Sequence, residues 1–288
     1  MRSTEPSSAS SATQSGRIDV AGQPIAYALR GTGVPLLLVS GTGYPGATWP
    51  AAVLEPLARR HTVPTFDQRG TGATPPSATK YSTRVFAADA LGLLDALELD
   101  AAHVVGHSMG GRVAQWMALE RPDRVRTLVL AATGPGQFRD DRPVARGVPV
   151  HTAVELIEKG YERYMREHIR ATFFTPEFAR EHPDVVDGLH QAFWRDRPDV
   201  ENYLRHVVAR QEHQTADRLA DIRVPTLVVI GDRDTVAMGT GVHTEQSDYL
   251  LRHIPGATKR VIEGASHGFF WSAPERTVNV LLEWTATH

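Results

Sequence analysis

Two short runs of alternating residues, Arg17–Val20 and Pro24–Leu29, flank Ala21-Gly22-Gln23, the pattern of an antiparallel hairpin. Pro35–Val39 is apolar without alternation, which predicts a strand buried on both faces of a parallel sheet. A helix is predicted from about Trp49 to Arg59, a strand over His61–Phe66 and a helix from about Thr83 to Leu99. The β-branched run into Val104-Val105, a helix from Arg112 on and the strand Val125–Ala131 follow. Strands alternating with helices predict a parallel, doubly wound sheet.

The alternation stops near Gly136. From there to about Ile222 the chain is polar and helical, with candidate helices at Val154–Arg170, Pro176–Arg180, Pro183–Trp194 and Val200–Gln211. It resumes with a strand at Thr226–Ile230, a helix near Gln246–Arg252, a strand at Lys259–Ile262 and a final helix at about Pro274–Thr287. One sheet with an insertion at 136–222 accounts for this more simply than two separate domains. The expected division is a disordered tail at 1–16, an α/β core at 17–135 and 223–288, and a helical insertion at 136–222.

Composition narrows the partners. With 288 residues the chain can bury a large core, and a formal net charge of -2 with no basic stripe speaks against nucleic acid or an anionic membrane surface. The absence of cysteine excludes a disulfide scaffold, a thiolate metal site and a cysteine nucleophile. Met1–Gly16 has no apolar core of the signal-peptide kind, and no apolar run reaches the roughly 18 residues of a spanning helix. A cytoplasmic protein is expected, with oligomeric state open.

Chemistry concentrates at Gly106-His107-Ser108-Met109-Gly110, where a strand turns sharply into a helix. Such a turn strains its central residue and needs small neighbours on both sides, so Ser108 would stand exposed as an acyl-transfer nucleophile. The helix amides favour developing negative charge above it, and the Met109 amide is one expected oxyanion donor. Two further strand ends reach the same rim of such a sheet, Gly231-Asp232-Arg233-Asp234 and Glu263-Gly264-Ala265-Ser266-His267-Gly268.

The order Ser108, acid, His267, each just past a strand end, resembles the α/β-hydrolase family over nearly the whole chain from Arg17 on. Ser40-Gly41-Thr42-Gly43, Asp67-Gln68-Arg69-Gly70-Thr71-Gly72 and Gly231-Asp232-Arg233-Asp234 are similar to further family patterns. The resemblance implies a mostly parallel eight-stranded sheet flanked by helices, with a helical lid inserted after the sixth strand. It implies His267 as base, ahead of His107, for which packing is expected, and of His243 in a Gly/Thr-rich loop. Asp232 and Asp234 are both chemically suited to orient the imidazole; the family pattern places that role on Asp234 and leaves Asp232 to the turn. It also implies the Thr42 amide as the second oxyanion donor, with Gly43 as the alternative, although the family often has histidine where this chain has Ser40.

Asp67–Gly72 reads as a structural turn, because no Gly-Lys-Ser/Thr follows it. No metal-ligand spacing and no cofactor motif stand out. The aromatics of the insertion are expected to be core more than substrate wall. The expected function is a serine hydrolase cleaving a small-molecule ester or lactone, with similarity to esterases and enol-lactonases. Carbon-carbon bond hydrolysis or cofactor-free perhydrolysis by the same residues is the alternative, and a non-catalytic ligand receptor is a third reading.

Overall fold

The computed structural model describes residues 13–138, 148–236 and 241–288. The hairpin β1 (Gln14–Val20) and β2 (Gln23–Arg30) leads to β3 (Val34–Val39), α1 (Ala51–Ala58), β4 (His61–Phe66), α2 (Thr83–Ala96), β5 (Ala102–His107), α3 (Met109–Glu120) and β6 (Val125–Ala131). Five helices follow: α4 (Val148–Lys159), α5 (Tyr161–Phe173), α6 (Pro176–Glu181), α7 (Pro183–Arg195) and α8 (Val200–Gln211). Then come β7 (Thr226–Gly231), α9 (His243–His253), β8 (Thr258–Ile262), α10 (Phe269–Ser272) and α11 (Pro274–Ala286).

The eight strands form one sheet in the order β1-β2-β4-β3-β5-β6-β7-β8. The first two are antiparallel to their neighbours and the remainder run parallel. This is the mostly parallel, helix-flanked sheet of the α/β-hydrolase fold. The period of two along each strand sorts side chains between two cores. Leu37, Val39, Val104, Leu128, Leu130 and Val228 pack on the side of α2 and α3, whereas Leu36, Leu38, Val105, Val129, Leu227 and Val229 pack on the side of α1 and α11. Continuous apolar runs are the consequence, because both faces are covered.

Three local departures from the sequence expectation have physical reasons. β1 starts at Gln14, inside the stretch expected to be tail, because Gln14, Ser15 and Gly16 pair with Leu29, Ala28 and Tyr27 in an edge ladder that needs no apolar side chains; the rest of that tail, 1–12, lies outside the described residues. The helix expected over Val154–Arg170 is two helices, broken at Gly160, whose φ of 77° is favoured only for glycine. α9 begins at His243, where the sequence suggested loop, and the His243 amide donates to the Val236 carbonyl at 3.1 Å.

Helices α4 to α8 lie between β6 and β7 in the chain and gather a third apolar cluster that includes Tyr44, Met165, Ile169, Phe173, Phe193 and Tyr203. Among the described residues no helix is long and apolar enough to cross a membrane.

Candidate active site

β5 delivers Ser108 to the sheet's carboxyl rim in a conformation few side chains adopt, φ 56° and ψ -120°. The turn closes only because glycines flank it. A Cβ on Gly106 would meet the Gly110 carbonyl oxygen at 2.3 Å, and one on Gly110 would meet the Val39 oxygen at 2.0 Å. The Ser108 amide donates to Ala131 at 2.9 Å, and its carbonyl accepts from the Gly111 amide at 3.0 Å and the Thr133 hydroxyl at 2.6 Å. These bonds hold the serine in a backbone state that otherwise costs about 1–3 kcal/mol. Met109 opens α3, so its amide has no intrahelical acceptor and faces the rim.

β7 and the turn after it deliver Asp234, and the loop after β8 delivers His267; both side chains are buried. His267 Nδ1 donates to Asp234 Oδ2 at 2.9 Å. An ionised carboxylate can only accept, so the proton in this bond sits on Nδ1. Burial pushes the Asp234 carboxyl up, but the imidazoles of His267 and His243 outweigh it and hold the group below the usual carboxylate range. Asp232 is elsewhere engaged: its Oδ1 accepts from the Gly264 amide at 2.6 Å and so pins the loop that carries His267.

Ser108, His267 and Thr42 line one small cavity of about 30 Å³, together with Gly41, Tyr44, His168, Thr172, Phe173, Arg210, Val236 and His243. The structure thus brings together Ser108, Asp234, His267 and the Thr42 loop. His107 is not among the residues lining that cavity, and it donates from Nε2 to the His267 carbonyl at 2.9 Å, which ties the serine turn to the histidine loop. Burial first, and the neighbouring His267 second, lower its pKa to about 3, so it stays neutral.

His243 is the residue that sequence reasoning undervalued. Its Nδ1 lies 3.2 Å from Asp234 Oδ2, and its ring stacks on His267 with centroids 4.7 Å apart and 13° between planes. Burial lowers its pKa to about 4 against the pull of Asp234. No spacing signal marks it, since its approach depends on where α9 begins. Among the described residues, Asp234, His243 and His267 are also the group whose ligand atoms, within 4.8 Å of one another, converge enough to hold a cation. Both Nδ1 atoms are already committed to the carboxylate, so the geometry favours proton chemistry over metal ligation.

The turn at Asp67–Gly72 is structural. Asp67 accepts from the Gly46 and Ala73 amides, each at 2.8 Å, and Arg69 grips Asp89 through Nε and Nη2 at 2.6 and 2.7 Å. Of the insertion aromatics in the third apolar cluster, Phe173 also lines the cavity and meets the His267 ring edge-on at 5.4 Å, whereas Phe193 and Tyr203 are not in that lining.

The sequence profile of the alpha/beta hydrolase fold matches residues 34–274. The chain is 30% identical over 256 residues to a putative carbamate hydrolase RutD of Azorhizobium caulinodans, covering 89% of this chain and 92% of that protein. It is 26% identical over 202 residues to 3-oxoadipate enol-lactonase 2 of Acinetobacter baylyi, covering 70% of each. A thermophilic esterase from Thermogutta terrifontis superposes with a TM-score of 0.81 at 26% identity, covering 95% of this chain and 98% of that one.

Proposed function

The chain belongs to the alpha/beta hydrolase family, and from that premise we propose that it is a serine hydrolase of small-molecule carboxylic esters or lactones working through an acyl-enzyme. The observation that carries the reading is the His267 imidazole, fixed through Nδ1 by Asp234, lining the same cavity as Ser108. His267 Nε2 takes the Ser108 hydroxyl proton as Oγ attacks the ester carbonyl. The amides of Thr42 and Met109 stabilise the resulting oxyanion, and His267 passes the proton to the departing alkoxide. Water, deprotonated by the same imidazole, then releases the acid and restores Ser108.

In this reading the segment 136–222 is a lid. Its support is that His168, Thr172, Phe173 and Arg210, all from that segment, line the cavity with Ser108. A shared serine turn cannot tell one ester from another, so selectivity falls to these walls.

The test is a panel of p-nitrophenyl esters, small lactones, N-aryl carbamates and vinylogous diketones, assayed beside labelling by a neutral fluorophosphonate probe. Ester or lactone turnover, label on Ser108 by intact-mass and peptide analysis, and loss of at least about a thousandfold in kcat in a folded Ser108→Ala variant are expected. Label on another serine, or an alanine variant as active as the parent, overturns the mechanism. Preference for carbamates or diketones replaces the substrate class and keeps the acyl-transfer residues.

A further inference from the structure

The carboxyl end of α8 places a guanidinium in the wall of the cavity. Arg112, on α3, donates from Nη1 to the Arg210 carbonyl at 2.6 Å, which anchors the last turn of α8 to the serine helix. From that anchored backbone the Arg210 side chain reaches the Thr42 loop, its Nη1 lying 3.4 Å from Thr42 Oγ1. Among the described residues, that long contact is the one side-chain hydrogen bond it makes and no carboxylate pairs with it. Arg210 Nε is enclosed and has no partner among the described residues. The hydroxyl of Tyr44, a second residue of the same wall, is likewise buried without one.

Two orphaned donors in one wall, one of them cationic, are costly in a folded protein and call for an acceptor. The nearby ionised acid cannot serve, because Asp234 is taken by His267 and His243. Arg112, buried beside Arg210, adds positive charge and repels it. Such a wall is unfavourable for a purely apolar ligand and complementary to a planar anion, which a guanidinium binds with paired N–H donors.

We propose that Arg210, with Tyr44, receives a carboxylate carried by the substrate, so that the ester or lactone cleaved at Ser108 is an anionic one. This rests on the reading of Ser108 as nucleophile. Arg210 is then a binding residue whose lack of a carboxylate partner among the described residues is the condition for its role.

The experiment compares kcat/KM for carboxylate-bearing esters and their neutral isosteres. One series carries the anion on the acyl side, p-nitrophenyl hemiglutarate against p-nitrophenyl valerate. The other carries it on the alcohol side, butyryl glycolate against butyryl ethanol ester, followed by pH-stat. The parent is expected to prefer the anionic member of at least one pair by about tenfold to a hundredfold, in line with a hydrogen-bonded charge pair. Arg210→Gln should collapse that ratio toward one, mainly through KM, and Arg210→Lys should keep part of it. Arg210→Met should also melt at a higher temperature than the parent, because it removes an unpartnered buried cation. No anionic preference in either series, or equal loss on charged and neutral esters in Arg210→Gln, overturns the proposal. Fluorophosphonate labelling of Ser108 separates the outcomes: label without anionic preference removes this inference alone, and absence of label removes the serine-hydrolase reading beneath it.

Discussion

Asp234 is shared by two histidines: His267 Nδ1 at 2.9 Å and His243 Nδ1 at 3.2 Å converge on the same Oδ2, with the two rings stacked. His243, kept neutral by burial, donates a second hydrogen bond from Nδ1 to Asp234 Oδ1 at 3.4 Å, which spreads the carboxylate's charge and fixes its plane. It touches no reacting atom, so it is a positioning residue. His243→Phe, which keeps a ring in the stack, should lower kcat about tenfold with little change in KM. It should also move the acidic limb of the kcat/KM profile to higher pH, because Asp234 loses one of the two imidazoles that hold its carboxyl low. His243→Asn, with an amide donor near the place of Nδ1, should recover most of the rate. An unmoved limb with only a lower melting temperature would make His243 a packing residue.

The two aspartates of the β7 turn should separate cleanly. Asp234→Asn should cost on the order of a thousandfold or more in kcat, because the imidazole loses the acceptor that sets its tautomer. Asp232→Asn leaves an acceptor for the Gly264 amide and should cost less than about tenfold, chiefly as a looser His267 loop. Steady-state kinetics on both variants decide it, and the reverse ranking would move the orienting role to Asp232.

Phe173 and Phe193 make a matched pair within the insertion. Phe193 is wholly buried, and Phe193→Ala should destabilise by about 3–5 kcal/mol in denaturant unfolding while leaving the order of preferred substrates unchanged. Phe173 lines the cavity beside His267, so Phe173→Ala should shift the preferred acyl length upward by opening room at the ring's position. Unchanged selectivity in Phe173→Ala would return it to the core.

Stability should fall on mild acidification, ahead of ordinary carboxylate titration. Burial lowers His243, His168 and His206 to about 4 and His107 to about 3, from an unfolded value of 6.5. Each depressed group favours the neutral folded protein above pH 6.5, and the unfolded chain takes up protons first as the pH drops. The melting temperature should therefore hold above pH 6.5 and decline from there toward pH 4. Below that, loss of the lowered Asp234 adds to the decline. A melting temperature flat from pH 6.5 to 4.5 by calorimetry would mean that these imidazoles are hydrated.

The legible parts of the molecule are those where local pattern carries the physics. Pro35–Val39 and Thr226–Ile230 announce strands covered on both faces, and Gly106 and Gly110 announce a turn that admits no Cβ. Ser108, Asp234 and His267 could be named because each follows a strand end, and such ends meet on one rim. The placement of His243 and Arg210 was not legible for the opposite reason. Each is set by an approach between distant segments, α9 to the β7 turn and α8 to the Thr42 loop, and no spacing within either segment encodes that approach. The edge strand from Gln14 escaped notice because its pairing is backbone to backbone.

The connection between β6 and β7 has a bearing on how this architecture diversifies. The strands are parallel neighbours, with Leu128 beside Thr226 and Ala131 beside Val229, so the chain must return the length of the sheet between them. A parallel pair always needs a crossover of roughly a dozen residues or more. Helices α4 to α8 supply that return path, and residues of α5 and α8 also line the cavity beside Ser108. Natural lineages can therefore exchange the whole segment for another of different length without disturbing a single strand pairing, but they cannot dispense with it. Grafting experiments face the same bound: a foreign crossover in this position should be tolerated, and a tight hairpin there should cost the protein its last two strands.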